Sequence, residues 1–89
     1  MASHLRLVRH STKGRVTYTW VVYAAAGGQQ LGLVAWWSPW RRYCFFPAHR
    51  TVFEQDCMRE IATFIEDQTN ERRAATKALK EARQRAAGA

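Results

Sequence analysis

Cysteine and histidine are the residues of this chain best suited to chemistry, and their spacing limits what they can do. Cys44, His49 and Cys57 could contact a zinc ion together, but a fourth ligand is missing and the intervals match no common zinc site. Cys57 with His49 is also a weak nucleophile pair, because Cys57 falls on the apolar stripe of a predicted helix, where burial makes a thiol inert. The sequence therefore predicts no metal, no other cofactor, and two reduced cysteines packed as small core residues.

Paired carboxylates are the other usual source of acid and base chemistry. Glu54, Asp56 and Glu60 lie within about two helical turns, but a helix N-terminus favours acids because of its dipole. The stretch AAGGQQLG lacks the lysine and the strand-to-helix setting of a phosphate loop. We therefore predict that the protein is not an enzyme.

The segment AWWSPWRRYCFF, residues 35–46, concentrates aromatic and basic side chains. Nucleic acid bases stack on aromatic rings and arginine neutralises phosphates, while the same residue types are enriched in protein interfaces. The segment predicts a binding surface for nucleic acid or protein, unless its rings belong to the core. The candidate binding residues in the first half of the chain are Arg15, Trp36, Trp40, Arg41 and Arg42.

Charge is segregated along the chain, which has a formal net charge of +7. No acid precedes Glu54; residues 54–71 then hold six acids and one arginine, and basic residues dominate from Arg72 onward. The two basic regions indicate a surface exposed to solvent or to an anionic partner. The candidate binding residues of the second region are Arg72, Arg73, Lys77, Lys80 and Arg83.

The first half of the chain has the pattern of antiparallel strands. Residues 15–24 alternate and are rich in β-branched and aromatic side chains, and the AAGGQQ motif after them favours a tight turn into a second strand over about 29–37. A Ser-Pro pair separates this strand from a third one over 40–46. Residues 4–10 are a candidate edge strand.

The second half has helical periodicity. The TVFE motif predicts a helix N-terminus at which Thr51 and Glu54 cap each other. The apolar stripe of this helix consists of Phe53, Cys57, Ile61, Phe64 and Ile65. The predicted fold is therefore α+β: a three- or four-stranded antiparallel sheet packed by one long C-terminal α-helix.

Alternation also predicts which sheet face the helix covers. The predicted core face carries Val16, Tyr18, Trp20, Val22, Leu31, Leu33 and Trp37. The opposite face is predicted to carry Thr17, Thr19, Tyr23, Val34 and Trp36, with either Arg42 and Cys44 or Arg41 and Tyr43. The docking surface is expected on this second face.

The predicted domain organisation is one sheet and helix domain over residues 1–68, followed by a basic, alanine-rich segment over 69–89. This segment either continues the helix into solvent or orders on contact with a partner, because its side-chain pairs contribute only a few tenths of a kcal/mol each. Its stripe of alanines with Leu79 allows a homodimer as a further possibility.

The order of elements over about residues 15–68 resembles the fold of plant AP2-type DNA-binding domains and of the amino-terminal domains of some phage-type integrases. That resemblance implies a sheet that lies in the DNA major groove. The chain also resembles small phage or prophage accessory proteins, a set that includes anti-CRISPR inhibitors of similar length. Neither resemblance assigns roles to named residues.

Two functions follow as expectations. The first is a non-enzymatic module that binds nucleic acid or a nucleoprotein complex through its basic, aromatic surface. The alternative is a phage-encoded inhibitor that binds a host defence complex and occludes it. The apolar stretches are shorter than the roughly 20 residues that a spanning helix needs, so we expect a soluble, cytoplasmic protein with no membrane partner.

Overall fold

The computed structural model describes residues 4–11, 14 and 16–88. Four strands form one antiparallel sheet in the order β1-β2-β3-β4, and a single long helix follows. The elements are β1 (Leu5–Ser11), β2 (Tyr18–Ala24), β3 (Gln30–Trp37), a 3₁₀ turn (Ser38–Trp40), β4 (Arg42–Pro47) and α1 (Gln55–Ala87). The predicted α+β class and the candidate edge strand are confirmed.

Two tight connections set the strand order. In the β2–β3 turn, Gly27 and Gly28 have φ angles of 85° and 69°, which glycine adopts without steric cost. In the β3–β4 turn, the 3₁₀ segment begins at Ser38 and contains Pro39 in its first turn, and Arg41 follows it with a left-handed φ of 52°. Because both turns are short, consecutive strands pair as hairpins.

A β-bulge reverses the faces that we predicted for β3. Leu31 is buried as expected, but it is the extra residue at a register shift opposite Val22 and Tyr23. Side chains after a bulge point to the opposite face, so Val34 becomes fully buried, whereas Leu33 is 36% exposed. The prediction for these β3 side chains was wrong because strict alternation does not register an inserted residue.

The sheet therefore has two unlike faces. The inner face, which packs against α1, carries Leu5, Leu7, Trp20, Val22, Val34, Trp36, Tyr43 and Phe45. The outer face carries Arg6, Val8, His10, Thr19, Val21, Tyr23, Gln30, Leu33, Ala35, Trp37, Arg42, Cys44 and Phe46. Trp36 was predicted to lie outside and lies inside; Trp37 shows the reverse and is 41% exposed. Val16, predicted as core, is 73% exposed before β2 begins.

Aromatic packing joins the helix to the inner face. The Trp20 ring lies edge-to-face with the rings of Tyr43 and Phe64, with centroids 5.2 and 5.0 Å apart. Ile61 is 5% exposed and completes this cluster. Edge-to-face rings contribute about 0.5–1.5 kcal/mol beyond their buried area, so these contacts fix the angle at which α1 crosses the sheet.

One polar contact ties the helix to the edge of the sheet. The backbone N–H of Tyr43 donates a 3.1 Å hydrogen bond to the hydroxyl of Thr69, and both residues are buried. Since β4 is an edge strand, this N–H has no strand partner on that side. The Thr69 hydroxyl thus satisfies a group that would otherwise be buried without a hydrogen bond.

The helix begins three residues later than the capping box predicted. Glu54 is the N-cap, and its side chain accepts a 2.6 Å hydrogen bond from the N–H of Cys57. Thr51 is not a cap, because its hydroxyl donates to the carbonyl oxygen of Ala48. This hydrogen bond from the N–H of Cys57 lowers the pKa of the Glu54 carboxyl, because it favours the charged form.

The helix extends well beyond the sheet. It has 33 residues, which corresponds to about 50 Å at 1.5 Å per residue, and the molecule measures 56 × 28 × 22 Å. All side chains from Arg73 to Ala87 are exposed; we name residues 73–87 the overhang. The helix passes residue 68 without a break and ends at Ala87.

Candidate functional site

A basic cleft lies where the overhang leaves the sheet. It has a volume of about 540 Å³ and opens between α1 and the β3–β4 turn. We define the basic cleft by its lining residues, which are Trp36, Ser38, Arg41, Arg72, Arg73 and Thr76. Three guanidinium groups, two hydroxyl groups and one indole ring therefore line a single concave surface.

Backbone geometry positions the arginines of the cleft. Arg41 ends the 3₁₀ turn, and its N–H donates to the carbonyl oxygen of Ser38 at 3.1 Å. The carbonyl oxygen of Arg41 accepts a 3.4 Å hydrogen bond from Nη2 of Arg73. This bond crosses the cleft and connects the turn to the helix. The hydrogen bond between Tyr43 and Thr69 attaches α1 to the sheet one turn before Arg72. It therefore fixes the position of the Arg72 and Arg73 backbone relative to the sheet.

Trp36 forms the floor of the cleft on the sheet side. It is half-buried, and its ring lies edge-to-face with Tyr43 at 5.2 Å. The Tyr43 hydroxyl in turn accepts a hydrogen bond from the N–H of Tyr18 at 3.3 Å. The indole therefore packs on one side against Tyr43.

No carboxylate lines the basic cleft. Within the described residues, the ion pair that the structure contains joins Arg59 to Asp56 on an exposed turn of α1. None of the cleft arginines takes part in it. Three cations near one another without a counter-ion produce a positive potential that attracts anions.

The overhang extends this positive surface along the helix. Helical periodicity places Thr76, Lys80 and Arg83 above Arg72 on successive turns, while Lys77 follows Arg73 one turn later. Glu81 lies about half a turn around the axis from this row, on the side away from the cleft. Glu81 is the one acid of the overhang; it follows Lys77 and precedes Arg85 by four residues and lies beside them, whereas Arg72 and Arg83 lie on the opposite side of the helix.

The structure brings together part of the predicted site. Trp36, Arg41, Arg72 and Arg73 meet in the basic cleft. The predicted residues Lys77, Lys80 and Arg83 continue it on the overhang. Trp40 borders the outer face, Arg42 on the edge strand lines a separate pocket against α1, and Arg15 lies outside the described residues. Sequence reasoning missed the lining residues Ser38 and Thr76. A spacing of four residues from Arg72 was the available signal for Thr76.

A second recess lies on the outer face beside the same turn. It has a volume of about 300 Å³, and the side chains around it include Trp37, Trp40, Cys44 and Phe46. The rings of Trp37 and Phe46 lie 6.1 Å apart, and Trp40 is 66% exposed. Ala35 pairs with Cys44 between the two rings, and these small side chains let the rings approach each other.

The cysteines are free and lie apart in the fold. Cys57 packs against the core, but Cys44 lies half-buried on the outer face, so its predicted core position was wrong. A hydrogen bond with the Glu54 carboxylate raises the pKa of the Cys57 thiol, and desolvation raises it further. Among the described residues, no three His, Cys, Asp or Glu side chains are placed to hold a metal ion.

The fold and the basic cleft define a small, basic α+β protein, and comparison with known proteins places it among phage proteins. The chain is 30% identical over 70 residues to a protein of Acholeplasma phage L2 named "Uncharacterized 9.3 kDa protein". The alignment covers 79% of this chain and 90% of that protein. The chain therefore belongs to the family of this phage protein, which confirms the predicted phage relationship.

Two further comparisons gave no match: no protein-family model matches the chain, and no solved structure matches it. In the part of the chain that the structure describes, no helix combines the length and the hydropathy that crossing a bilayer requires.

Proposed function

We propose that the protein binds nucleic acid and that the basic cleft holds its phosphate backbone. Guanidinium groups donate paired hydrogen bonds to phosphate oxygens, and the hydroxyl of Ser38 is a further donor within the cleft, whereas the Thr76 hydroxyl donates to the carbonyl oxygen of Arg72. The overhang offers cations on successive turns of about 5.4 Å, so that several phosphates of one strand are in reach. A single small anion would leave most of this row unused.

The observation that carries the proposal is the backbone conformation of Arg41. Its φ of 52° and ψ of 49° place it in the left-handed region, which non-glycine residues seldom occupy. Glycine would end the 3₁₀ turn there at lower steric cost, by about 1 kcal/mol. Strained residues of this kind cluster at binding sites, and the arginine side chain is what glycine would lack.

The number of cations predicts how strongly the binding affinity depends on salt concentration. The cleft and the overhang present up to six cations to one strand: Arg41, Arg72, Arg73, Lys77, Lys80 and Arg83. At about 0.7 to 0.9 released counterions per phosphate contact, six contacts give a logarithmic salt slope of roughly −4 to −5. The affinity should then fall by two to three orders of magnitude between about 50 mM and about 200 mM salt.

Fluorescence anisotropy with labelled oligonucleotides tests the proposal at both salt concentrations. We expect the double variant R72Q/R73Q to weaken binding and to make the salt slope shallower by roughly 1.4 to 1.8. Arg85→Gln is the matched control, because Arg85 is an exposed overhang cation that helical periodicity places away from the cleft. Equal effects of R72Q/R73Q and the control, once corrected for the number of charges removed, would contradict the cleft as the binding site.

Arg41→Gly separates binding from stability. We expect this variant to bind nucleic acid less tightly while its free energy of unfolding stays equal or rises, because the left-handed conformation suits glycine. Urea denaturation measures the second quantity. A variant that loses stability and keeps its affinity would show that Arg41 has a structural role only.

A second candidate function is a phage-encoded inhibitor that binds a host defence complex. The exposed apolar side chains of the outer face favour it, since Leu33, Trp37 and Phe46 are 36%, 41% and 39% exposed. An inhibitor of this kind would bind one protein complex, and salt would change its affinity much less. Measuring binding at the two salt concentrations distinguishes the two functions.

A further inference from the structure

We infer that the nucleic acid is single-stranded and that its bases stack on the aromatic rings of the outer face. This inference rests on the proposed function, since it takes the phosphates to lie in the basic cleft. It assigns a second surface to the same ligand and selects single strands over duplexes.

The outer face has the chemistry of a base-stacking platform. Trp37, Phe46 and Trp40 surround one recess, with the first two rings 6.1 Å apart. Tyr23 lies on the same face, and the guanidinium of Arg6 lies 5.0 Å from its ring centroid. Flat aromatic rings beside cations match the flat bases and the charged phosphates of an unpaired strand.

Charge complementarity favours nucleic acid over an apolar protein segment. Every described residue of the four strands and of the turns between them is neutral or basic, because the first acid in the chain is Glu54. The outer face has a cation, Arg6, at its β1 rim, whereas Arg42 at the β4 rim lines a pocket with Glu66 of α1. An anionic ligand with planar apolar groups is complementary to both features.

The central strands decide between single strands and duplexes. Reading a duplex in the major groove needs side chains that form paired hydrogen bonds with base edges, chiefly Arg, Asn and Gln. The outward side chains of β2 and β3 are Thr19, Val21, Tyr23, Gln30, Leu33, Ala35 and Trp37, of which Gln30, at the end of its strand, is the one residue of this kind. Rings stack only on bases that are not already stacked in a duplex.

The two surfaces adjoin at the β3–β4 turn. Trp40 borders the outer recess and Arg41 lines the basic cleft, and these consecutive residues have Cα atoms about 3.8 Å apart. A strand that crosses this turn can place a phosphate at Arg41 while its neighbouring base contacts Trp40. The left-handed Arg41 is the residue that directs the two side chains to different sides.

The test compares a fluorescein-labelled 12-nucleotide single strand of DNA, the same sequence in RNA, and the DNA duplex, with intact protein. We expect the single strands to bind at least about tenfold tighter than the duplex. Phe46→Leu should weaken single-strand binding by about tenfold and leave duplex binding and the salt slope unchanged, because it removes a ring and no charge. Phe46→Tyr keeps a ring and should retain the affinity of the original chain.

Trp37→Leu provides a second ring deletion, and thermal unfolding verifies that each variant is folded. If both leucine variants bind the single strand as tightly as the original chain while R72Q/R73Q binds weakly, this inference is overturned and the proposed function stands. The outer face would then be better explained by protein docking. If no oligonucleotide binds at about 50 mM salt, the proposed function itself fails.

Discussion

The hydrogen bond between Tyr43 and Thr69 makes the strongest prediction about stability. Thr69→Val keeps the shape of the side chain and removes the hydroxyl that accepts the Tyr43 N–H. The N–H would then stay buried without an acceptor, since Tyr43 is 3% exposed. Leaving a buried donor unsatisfied costs about 1–3 kcal/mol.

This cost is large relative to the total stability of a small domain. Domains of this size unfold with a free energy of about 5–15 kcal/mol, and each kcal/mol shifts Tm by roughly 4–8 °C. We therefore expect Thr69→Val to lower Tm by about 5–20 °C, and urea denaturation to show a lower midpoint with an unchanged m-value.

Thr63→Val is the matched control, because Thr63 lies on an exposed side of the same helix. Its expected effect is within about 0.5 kcal/mol. Thr69→Ser keeps a hydroxyl and should recover most of the loss. If Thr69→Val and Thr63→Val had the same Tm, the hydrogen bond would not attach the helix to the β4 edge, and our account of the cleft geometry would fail with it.

Three further predictions concern the backbone, pH and association. Gly32→Ala should destabilise the protein by about 1–3 kcal/mol more than Gly27→Ala in urea denaturation, since a Cβ at Gly32 would collide with the Phe46 backbone while Gly27 has open space. The pKa of Glu54 is lowered in the folded protein, so its charged carboxylate stabilises the fold above the ordinary carboxyl pKa of 4.5, and this stabilisation is lost as pH falls below that value. Between about pH 6 and about pH 3, the free energy of unfolding of the original chain should therefore fall more than that of Glu54→Gln. Because the exposed stripe of the overhang has Leu79 as its only large apolar residue, we expect light scattering to give the mass of one chain at micromolar concentration, and twice that mass would establish the homodimer.

Local patterns were sufficient to predict the elements, because strands and helices follow from residues that are close in sequence. The alternation in β2 and the stripe from Cys57 to Ile65 correctly indicated a strand and a helix that pack together. The bulge at Leu31 was not visible, since it depends on the partner strand, and it reversed every later side chain of β3. One inserted residue thus exchanged the positions predicted for Trp36 and Trp37.

The sequence predicted which types of residue form the candidate site, but not which of them lie together. Arg41 and Arg72 are 31 positions apart in the sequence, and no local pattern shows that they share a cleft. Their meeting depends on how far α1 runs past the sheet and on the angle fixed by the Trp20 and Phe64 rings. The aromatic pair of Trp37 and Phe46 was missed for the same reason as the faces of β3.

The coverage of the β4 edge by α1 also restricts how the sheet can grow. A sheet with two open edges can add strands from other chains without end, as fibrils do. Here α1 blocks one edge, and the other strand at the margin, β1, carries the charged side chains of Arg6 and Arg9. If two copies paired through their β1 strands, the two outer edges of the joined sheet would be the β4 strands, each covered by its own α1. Sheet growth would therefore stop at two chains and would not produce a filament.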